Sequence, residues 1–225
     1  MEAAPPPSDP VFFPPVQWAT EDGLLMVGGN LTPDWLLEAY SRGIFPWPVP
    51  FQGEMVLAWF CPDPRAVLEL DSLHISRRLR RRMRSGRYRV TQDRDFRGVL
   101  AGCAEPRVTE GGTWITAEMA DAYQRLHELG FAHSVEVWED DVLVGGIYGV
   151  TLGGLFAGES MFHRTRDASK IAIAHLVEHL RERGYCLFDV QLWTSHLASL
   201  GAVEISRADY LRRLKEALRV PATFR

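Results

Sequence analysis

The sequence predicts an α+β protein on three observations: apolar residues recur at helical spacing through the middle of the chain, the period switches to two from Ser134, and the last third alternates strands with helices. Its 225 residues, 46% hydrophobic and 24% charged, suffice to bury a full core in one large domain or two unequal ones.

The stretch up to about residue 66 is rich in proline and aromatics and holds one clear helix. Thr32 caps it, Pro33 sits in its first turn, Trp35, Leu36, Leu37, Ala39 and Tyr40 recur along one side, and Gly43 ends it. In the GIFPWPVP segment that follows, residues 43–50, the prolines impose an extended path and hold Phe45 and Trp47 on a rigid loop. Simple core burial is the competing reading for such aromatics. A second helix starts at a Ser76 cap, carries Leu79 and Met83 four residues apart, and stops at Gly86. Residues 93–103 and 116–129 make two more, with Phe96, Leu100 and Cys103 on one inward face and Met119, Tyr123 and Leu126 on the other.

Beyond them Val135 and Val137 alternate with Ser134, Glu136 and Trp138, and Asp140 with Asp141 makes a turn before a strand over 142–150. Gly153 and Gly154 turn the chain into a third strand over 155–162. Asp167 opens a helix with Ile173, Leu176, Val177 and Leu180 inward, Gly184 ends it, 187–192 returns as a strand and 207–218 closes as a helix. This order wraps one mixed sheet.

Charge and cysteine narrow the class. The net charge of −4 hides eight arginines and no acid between Arg77 and Arg89, in a chain whose only lysines are Lys170 and Lys215. An acid-free arginine face suits phosphate, although a solvated helix surface reads the same way. Cys61, Cys103 and Cys186 are far apart and form no C-x-x-C pair, which argues against a disulfide framework or a cysteine zinc site. The longest uncharged run, 142–158, is short and broken by six glycines, so no membrane span is expected. The proline-rich, acid-bearing start lacks the order of a secretory signal, and a cytoplasmic location is expected.

Three segments offer chemistry. Alternation along a strand puts Phe188 and Val190 toward the core and sets Asp189 and Gln191 side by side on the other face, either as a structural hydrogen-bond pair or as a functional one. Glu159 stands beside Gly158, where a backbone or ligand can approach closely; the segment does not match G-x-S-x-G, and a Ser160, His163 and Asp189 triad has little to support it. His175, Glu178 and His179 match H-x-x-E-H on a predicted helix, but no downstream ligand segment accompanies them.

Nine segments in order, from GLLMVGGNLTPDWLLEAYSRGIFPW through CPDPRAVL, LHISRRLRRRMRSGRYRV, GTWIT, LGFAHSVEVW, LVGGIYGV, GESMF and DASK to DVQLWTSHLASLGAVEISRADYL, resemble the leucyl/phenylalanyl-tRNA-protein transferase family. The chain departs from the family's usual pattern at Asn30, Phe60, Cys61 and His163. The resemblance implies a GNAT-like acyltransferase domain over 67–225, a mixed central sheet with flanking helices, preceded by a small N-terminal α/β domain over 1–66. It implies an aminoacyltransferase that moves Leu or Phe, less readily Met, from aminoacyl-tRNA to the N-terminal Arg or Lys of acceptor proteins, marking them for degradation governed by the N-terminal residue; no feature of the sequence demands a dimer, and a monomer is expected.

No acetyl-CoA phosphate loop is evident, and no cofactor or metal is expected. By the same resemblance Asp189 and Gln191 are catalytic, Asp189 as base or positioning group. Glu159 receives the cationic acceptor, and Ile147, Phe156 and Met161 form the donor side-chain pocket. Tyr40, Trp47 and Trp114 hold the terminal adenosine, and Arg77, Arg78, Arg80, Arg81 and Arg84 hold tRNA phosphates. Three readings compete: an acetyl-CoA-dependent acyltransferase, a non-enzymatic RNA-binding module and a zinc peptidase.

Overall fold

The structure, a computed structural model, describes residues 11–105 and 115–225. In chain order the N-terminal part runs β1 (Leu24–Val27), α1 (Pro33–Ser41), β2 (Phe45–Pro46), β3 (Val49–Phe51), β4 (Glu54–Val56) and β5 (Ala58–Phe60). The expected start of α1 is present: Thr32 accepts from the Trp35 amide and Pro33 occupies the first turn. The strands form a three-stranded sheet of order β1-β5-β2, with β3 and β4 as a separate hairpin. Phe13 packs edge-on against Trp35 and Trp59, with centroids 5.2 and 4.9 Å apart, and the Trp59 indole donates to the Gly28 carbonyl at 2.8 Å.

The rest comprises β6 (Arg65–Leu68), α2 (Arg77–Met83), β7 (Arg89–Gln92), α3 (Phe96–Ala104), α4 (Ala117–Glu128), β8 (Ala132–Glu139), β9 (Val142–Leu152), β10 (Leu155–His163), α5 (Ala168–Glu182), β11 (Leu187–Gln191), α6 (Ser195–Ala198), β12 (Ala202–Ile205) and α7 (Arg207–Ala217). Seven of these strands make one mixed sheet of order β12-β6-β11-β10-β9-β8-β7, in which β10 and β11 run parallel and their neighbours antiparallel. The α+β class and mixed sheet agree with the sequence. The division expected between 66 and 67 lies within β6, whose residues pair with both β11 and β12.

Both faces of the sheet are covered. Leu187 of β11 packs on the side of α1, α3, α4 and α7, with Tyr40, Tyr123 and Tyr210; Phe188 and Val190 pack on the other, with α2, α5 and α6. The first cluster runs continuously into Trp35, Leu36 and Trp59, so the N-terminal part and the sheet share one core. Among the described residues no helix is long and apolar enough to cross a membrane.

Candidate active site

The site originates in a parting of two strands. β10 and β11 pair from Leu155↔Leu187 to Ala157↔Asp189. Past that point β10 continues along β9 to His163, whereas β11 ends at Gln191, which adopts a left-handed φ of 63°. On β10 the register with β9 jumps between Gly158 and Ser160, so Glu159 is the extra residue of a β-bulge. The gap is a cleft of about 860 Å³ lined by Trp47, Ile147, Glu159, Met161, His163, Phe188, Val190, Gln191, Leu192 and the α6 segment among others.

Two buried carboxylates flank this point. Asp189 is fully buried and takes four donors: Arg65 Nε at 2.8 Å and the Gln191 amide at 2.9 Å on Oδ1, Arg65 Nη2 at 2.6 Å and the Tyr210 hydroxyl at 2.9 Å on Oδ2. Burial acts against the Arg65 charge, but Asp189 more than offsets it and holds the guanidinium above its ordinary range. Glu159 is 8% exposed and has no ion-pair partner among the described residues. Its Oε1 accepts from Gln191 Nε2 at 2.7 Å and its Oε2 from the Tyr123 hydroxyl at 2.6 Å, which lies 2.8 Å from the Tyr40 hydroxyl. Burial raises the Glu159 pKa to about 7 in spite of the tyrosine and glutamine donors. The same burial holds the Tyr40 and Tyr123 phenols well above their usual range, so they stay protonated and able to donate.

The sequence-predicted residues meet different fates. Asp189 and Gln191 share a network, but only Gln191 lines the cleft; Asp189 faces Arg65 and Tyr210. Ile147 and Met161 line the cleft, whereas Phe156 lies beneath it, 1% exposed, edge-on to Phe188 at 5.4 Å. Phe188 and Val190, read from alternation as core, are buried in the core on that face of the sheet and also wall the cleft. Trp47 reaches the cleft. Tyr40 does not: it is 2% exposed and spends its hydroxyl on Tyr123, so its expected place as an adenosine platform is corrected to a support under Glu159. Trp114 lies outside the described residues. His163 sits exposed at the cleft.

On α2 and its C-cap, Arg77, Arg78, Arg80, Arg81 and Arg84 are exposed and form no ion pair among the described residues. Their neighbours are occupied: Arg82 pairs with Asp167 at 3.3 Å, Arg89 with Asp141 at 2.8 Å, and Arg87 with Glu139. Arg77, Arg78 and Arg81 line a groove of about 640 Å³ with Arg82, Ser85, Arg87 and Tyr88.

The H-x-x-E-H segment lies on α5, but His179 gives its Nε2 to the Phe224 carbonyl at 2.7 Å. The group of metal-ligand types that does converge among the described residues is Asp93, His127 and His133, with ligand atoms within 4.8 Å. It is tied up by hydrogen bonds: His133 Nδ1 meets Asp93 at 2.8 Å, His127 Nδ1 meets the Ala132 carbonyl at 2.8 Å, and Arg225 donates to the same Asp93 at 2.9 Å.

A family model described as leucyl/phenylalanyl-tRNA protein transferase matches residues 67–215, and one described as the N-terminal domain of that transferase matches 29–63. Relatives include a leucyl/phenylalanyl-tRNA–protein transferase of Stutzerimonas stutzeri, 53% identical over 216 residues, which span 95% of this chain and 94% of that one. Another, of Aromatoleum aromaticum, is 54% identical over 200 residues, 88% of this chain and 83% of that one. Among solved structures, a GCN5-related N-acetyltransferase from Kribbella flavida aligns at 11% identity with a TM-score of 0.38, over 77% of this chain and 61% of that one.

Proposed function

The chain belongs to the leucyl/phenylalanyl-tRNA protein transferase family, enzymes that transfer aminoacyl groups from tRNA to proteins, and we propose that the cleft between β10 and β11 is where that transfer occurs. The donor carries Leu or Phe, less readily Met, and the acceptor is a protein beginning with Arg or Lys. The product is a peptide bond that marks the acceptor for degradation set by its new N-terminal residue. The enzyme works as a cytoplasmic monomer.

The observation that carries this reading is the contact of Glu159 with Gln191, 2.7 Å apart at the parted strand ends, beside walls made by Ile147, Met161, Phe188 and Val190. An aminoacyl ester is already activated, so the catalyst has to align ester and amine and stabilise the developing oxyanion while the C–N bond forms, the ester C–O bond breaks, and the tRNA ribose oxygen leaves as a hydroxyl with the proton that the amine gives up. Gln191 is the group placed to touch the reacting atoms. Asp189 belongs to the same catalytic pair but acts through Gln191, because its carboxylate is filled by Arg65, Tyr210 and the Gln191 amide. The acceptor amine has an ordinary pKa near 8, so a useful fraction is neutral at cytoplasmic pH and alignment supplies much of the rate.

Glu159 offers the acceptor's cationic side chain a carboxylate that no arginine or lysine of the described residues has taken. The apolar walls receive the donor side chain and, lacking polar partners for it, separate Leu, Phe and Met only modestly. Trp47, with Trp114, stacks the terminal adenosine. Arg77, Arg78, Arg80, Arg81 and Arg84 hold acceptor-stem phosphates, which makes tRNA binding largely independent of sequence and sensitive to salt.

Transfer of labelled Leu, Phe, Met and Arg, each supplied on its tRNA, to a protein beginning with Arg or Lys tests the proposal, with N-terminal Ala and acetyl-CoA as controls. Transfer of Leu and Phe that depends on the basic N-terminus is the expected result. Equal transfer to the Ala protein removes the acceptor assignment, and transfer of acetyl groups instead removes the donor assignment.

A further inference from the structure

We propose that Arg65 is a positioning residue that locks the loop bearing Trp47 to the strand end bearing Gln191, so that the donor and acceptor halves of the site are set by one side chain. The inference rests on the functional reading above, in which Trp47 serves the donor and Gln191 the reacting centre.

Arg65 sits at a junction of the two segments. It opens β6, next to β11 in the sheet, and is 1% exposed. Nε and Nη2 make a two-pronged bond to Asp189 at 2.8 and 2.6 Å, and Nη1 turns away from Asp189 to the Gly43 carbonyl at 3.0 Å. The guanidinium also lies over two rings, with its central carbon 4.8 Å from the Phe45 centroid and 4.4 Å from that of Tyr210.

Each contact leads to one half of the cleft. Gly43 and Phe45 belong to the loop that delivers Trp47, and the Trp47 amide is fixed in turn to the Ala58 carbonyl at 2.8 Å. Gly43 is held at φ 76°, where an added Cβ would stand 2.8 Å from the Tyr210 ring, so this close approach requires glycine. In the other direction Asp189 passes the constraint to the Gln191 amide at 2.9 Å, holding a non-glycine residue in its left-handed conformation.

Energetics favour a geometric purpose over a stabilising one. A buried ion pair is often no better than apolar residues of the same volume, because desolvation consumes the Coulombic gain. What the pair does supply is direction: the planar fork fixes Asp189 in two bonds while a third donor reaches another segment, and a lysine ammonium cannot hold all three at these angles. The Trp47 loop and the Gln191 strand are separated by more than a hundred residues in sequence but meet on one guanidinium.

The test compares full-length Arg65→Lys, Trp47→Ala and the double variant in single-turnover transfer from Leu-tRNA to a peptide beginning with Arg. Misplacement of reacting groups by about 1 Å costs on the order of 100-fold, and that loss is expected for Arg65→Lys. The discriminating readout is coupling: the double variant should fall no more than about threefold below the worse single variant, because both changes disturb the same platform. Fully multiplicative losses, or transfer by Arg65→Lys at the wild-type rate, overturn the proposal. Should Arg65→Lys fail to fold, Tyr210→Phe removes one bond to Asp189 while keeping the ion pair, and the same cycle applies with a smaller loss. A wild-type protein that transfers nothing from any charged tRNA would sink the functional reading itself, whereas an active wild type with multiplicative losses would sink the role of Arg65 alone.

Discussion

Asp189 and Glu159 are both buried carboxylates at the point where β10 and β11 part, yet they are built for opposite tasks. Asp189 has every acceptor direction filled, two of them by an arginine, and does not line the cleft. Glu159 has only neutral donors, Tyr123 and Gln191, and does line it. Burial alone therefore does not say what a carboxylate does; the charge of its partners does. A closed ion pair fixes geometry, whereas a carboxylate held by neutral donors keeps a charge in reserve for an incoming cation.

The largest expected effect breaks the closed member. Asp189→Ala leaves Arg65 buried and unpaired, which should cost about 3–5 kcal/mol in urea unfolding and lower transfer by about 1000-fold, on the scale of losing a transition-state contact and its alignment together. Filter binding should show tRNA affinity nearly intact, since the pair bonds to Gly43, Tyr210 and Gln191 rather than to the α2 arginines. If unfolding midpoint and turnover both stay at wild-type values, Asp189 is not the anchor.

Opening the comparison from the other side, Glu159→Gln should raise the KM for an Arg-initiated acceptor by about 100-fold, the usual scale for deleting one buried charge of a contact. The sign with pH follows from the raised pKa of about 7. Above it the carboxylate is ionised and attracts the acceptor; as pH falls through it the proton returns and KM rises, by up to about tenfold per unit. Because the folded pKa lies above the unfolded one, any stability contributed by protonated Glu159 is present at low pH and lost as pH rises through about 7. The variant should accordingly be the more stable protein at pH 8, by an amount that shrinks on acidification, and its acceptor KM should lose the neutral limb. A wild-type KM that is flat from pH 6 to 8 would remove the distinction between the two carboxylates.

Smaller effects sharpen the contrast between buried and exposed charge. Neutralising Arg80, Arg81 and Arg84 together should weaken tRNA binding by about 50-fold at moderate salt and reduce the slope of log K against log salt by about 2. Stability should stay within about 0.5 kcal/mol. An unchanged slope would move the tRNA path off α2. The smallest shift is expected in the apolar wall: Val190→Ala should change the Leu to Phe transfer ratio by about tenfold in favour of Phe, with little change in acceptor KM. A constant ratio would detach Val190 from the donor pocket.

Local chemistry made much of the fold readable. Caps at Thr32 and Ser76 mark helix starts that the structure keeps, and Asp140 with Asp141 forms the expected turn, both at positive φ. Asp189 and Gln191 were legible as neighbours because strand alternation is local. Their partners were not: Arg65 lies 124 residues from Asp189 and Tyr123 lies 36 from Glu159, and no periodicity encodes such pairings. The short strands β6, β7 and β12, four residues each, escape a period-two reading because four positions hold too little alternation, and β7 carries an arginine at a sheet edge. Phe188 and Val190 alternate as core residues do, and they line a cleft only because β10 and β11 separate beside them.

The span of the Arg65 contacts bears on the order in which the molecule is made. Its bonds to Asp189 and Tyr210 bridge 124 and 145 residues, so the anchor is incomplete until α7 has left the ribosome. A chain that stops short of α7 therefore lacks Tyr210, and with it both a ring against the Arg65 guanidinium and the hydroxyl that shares Asp189.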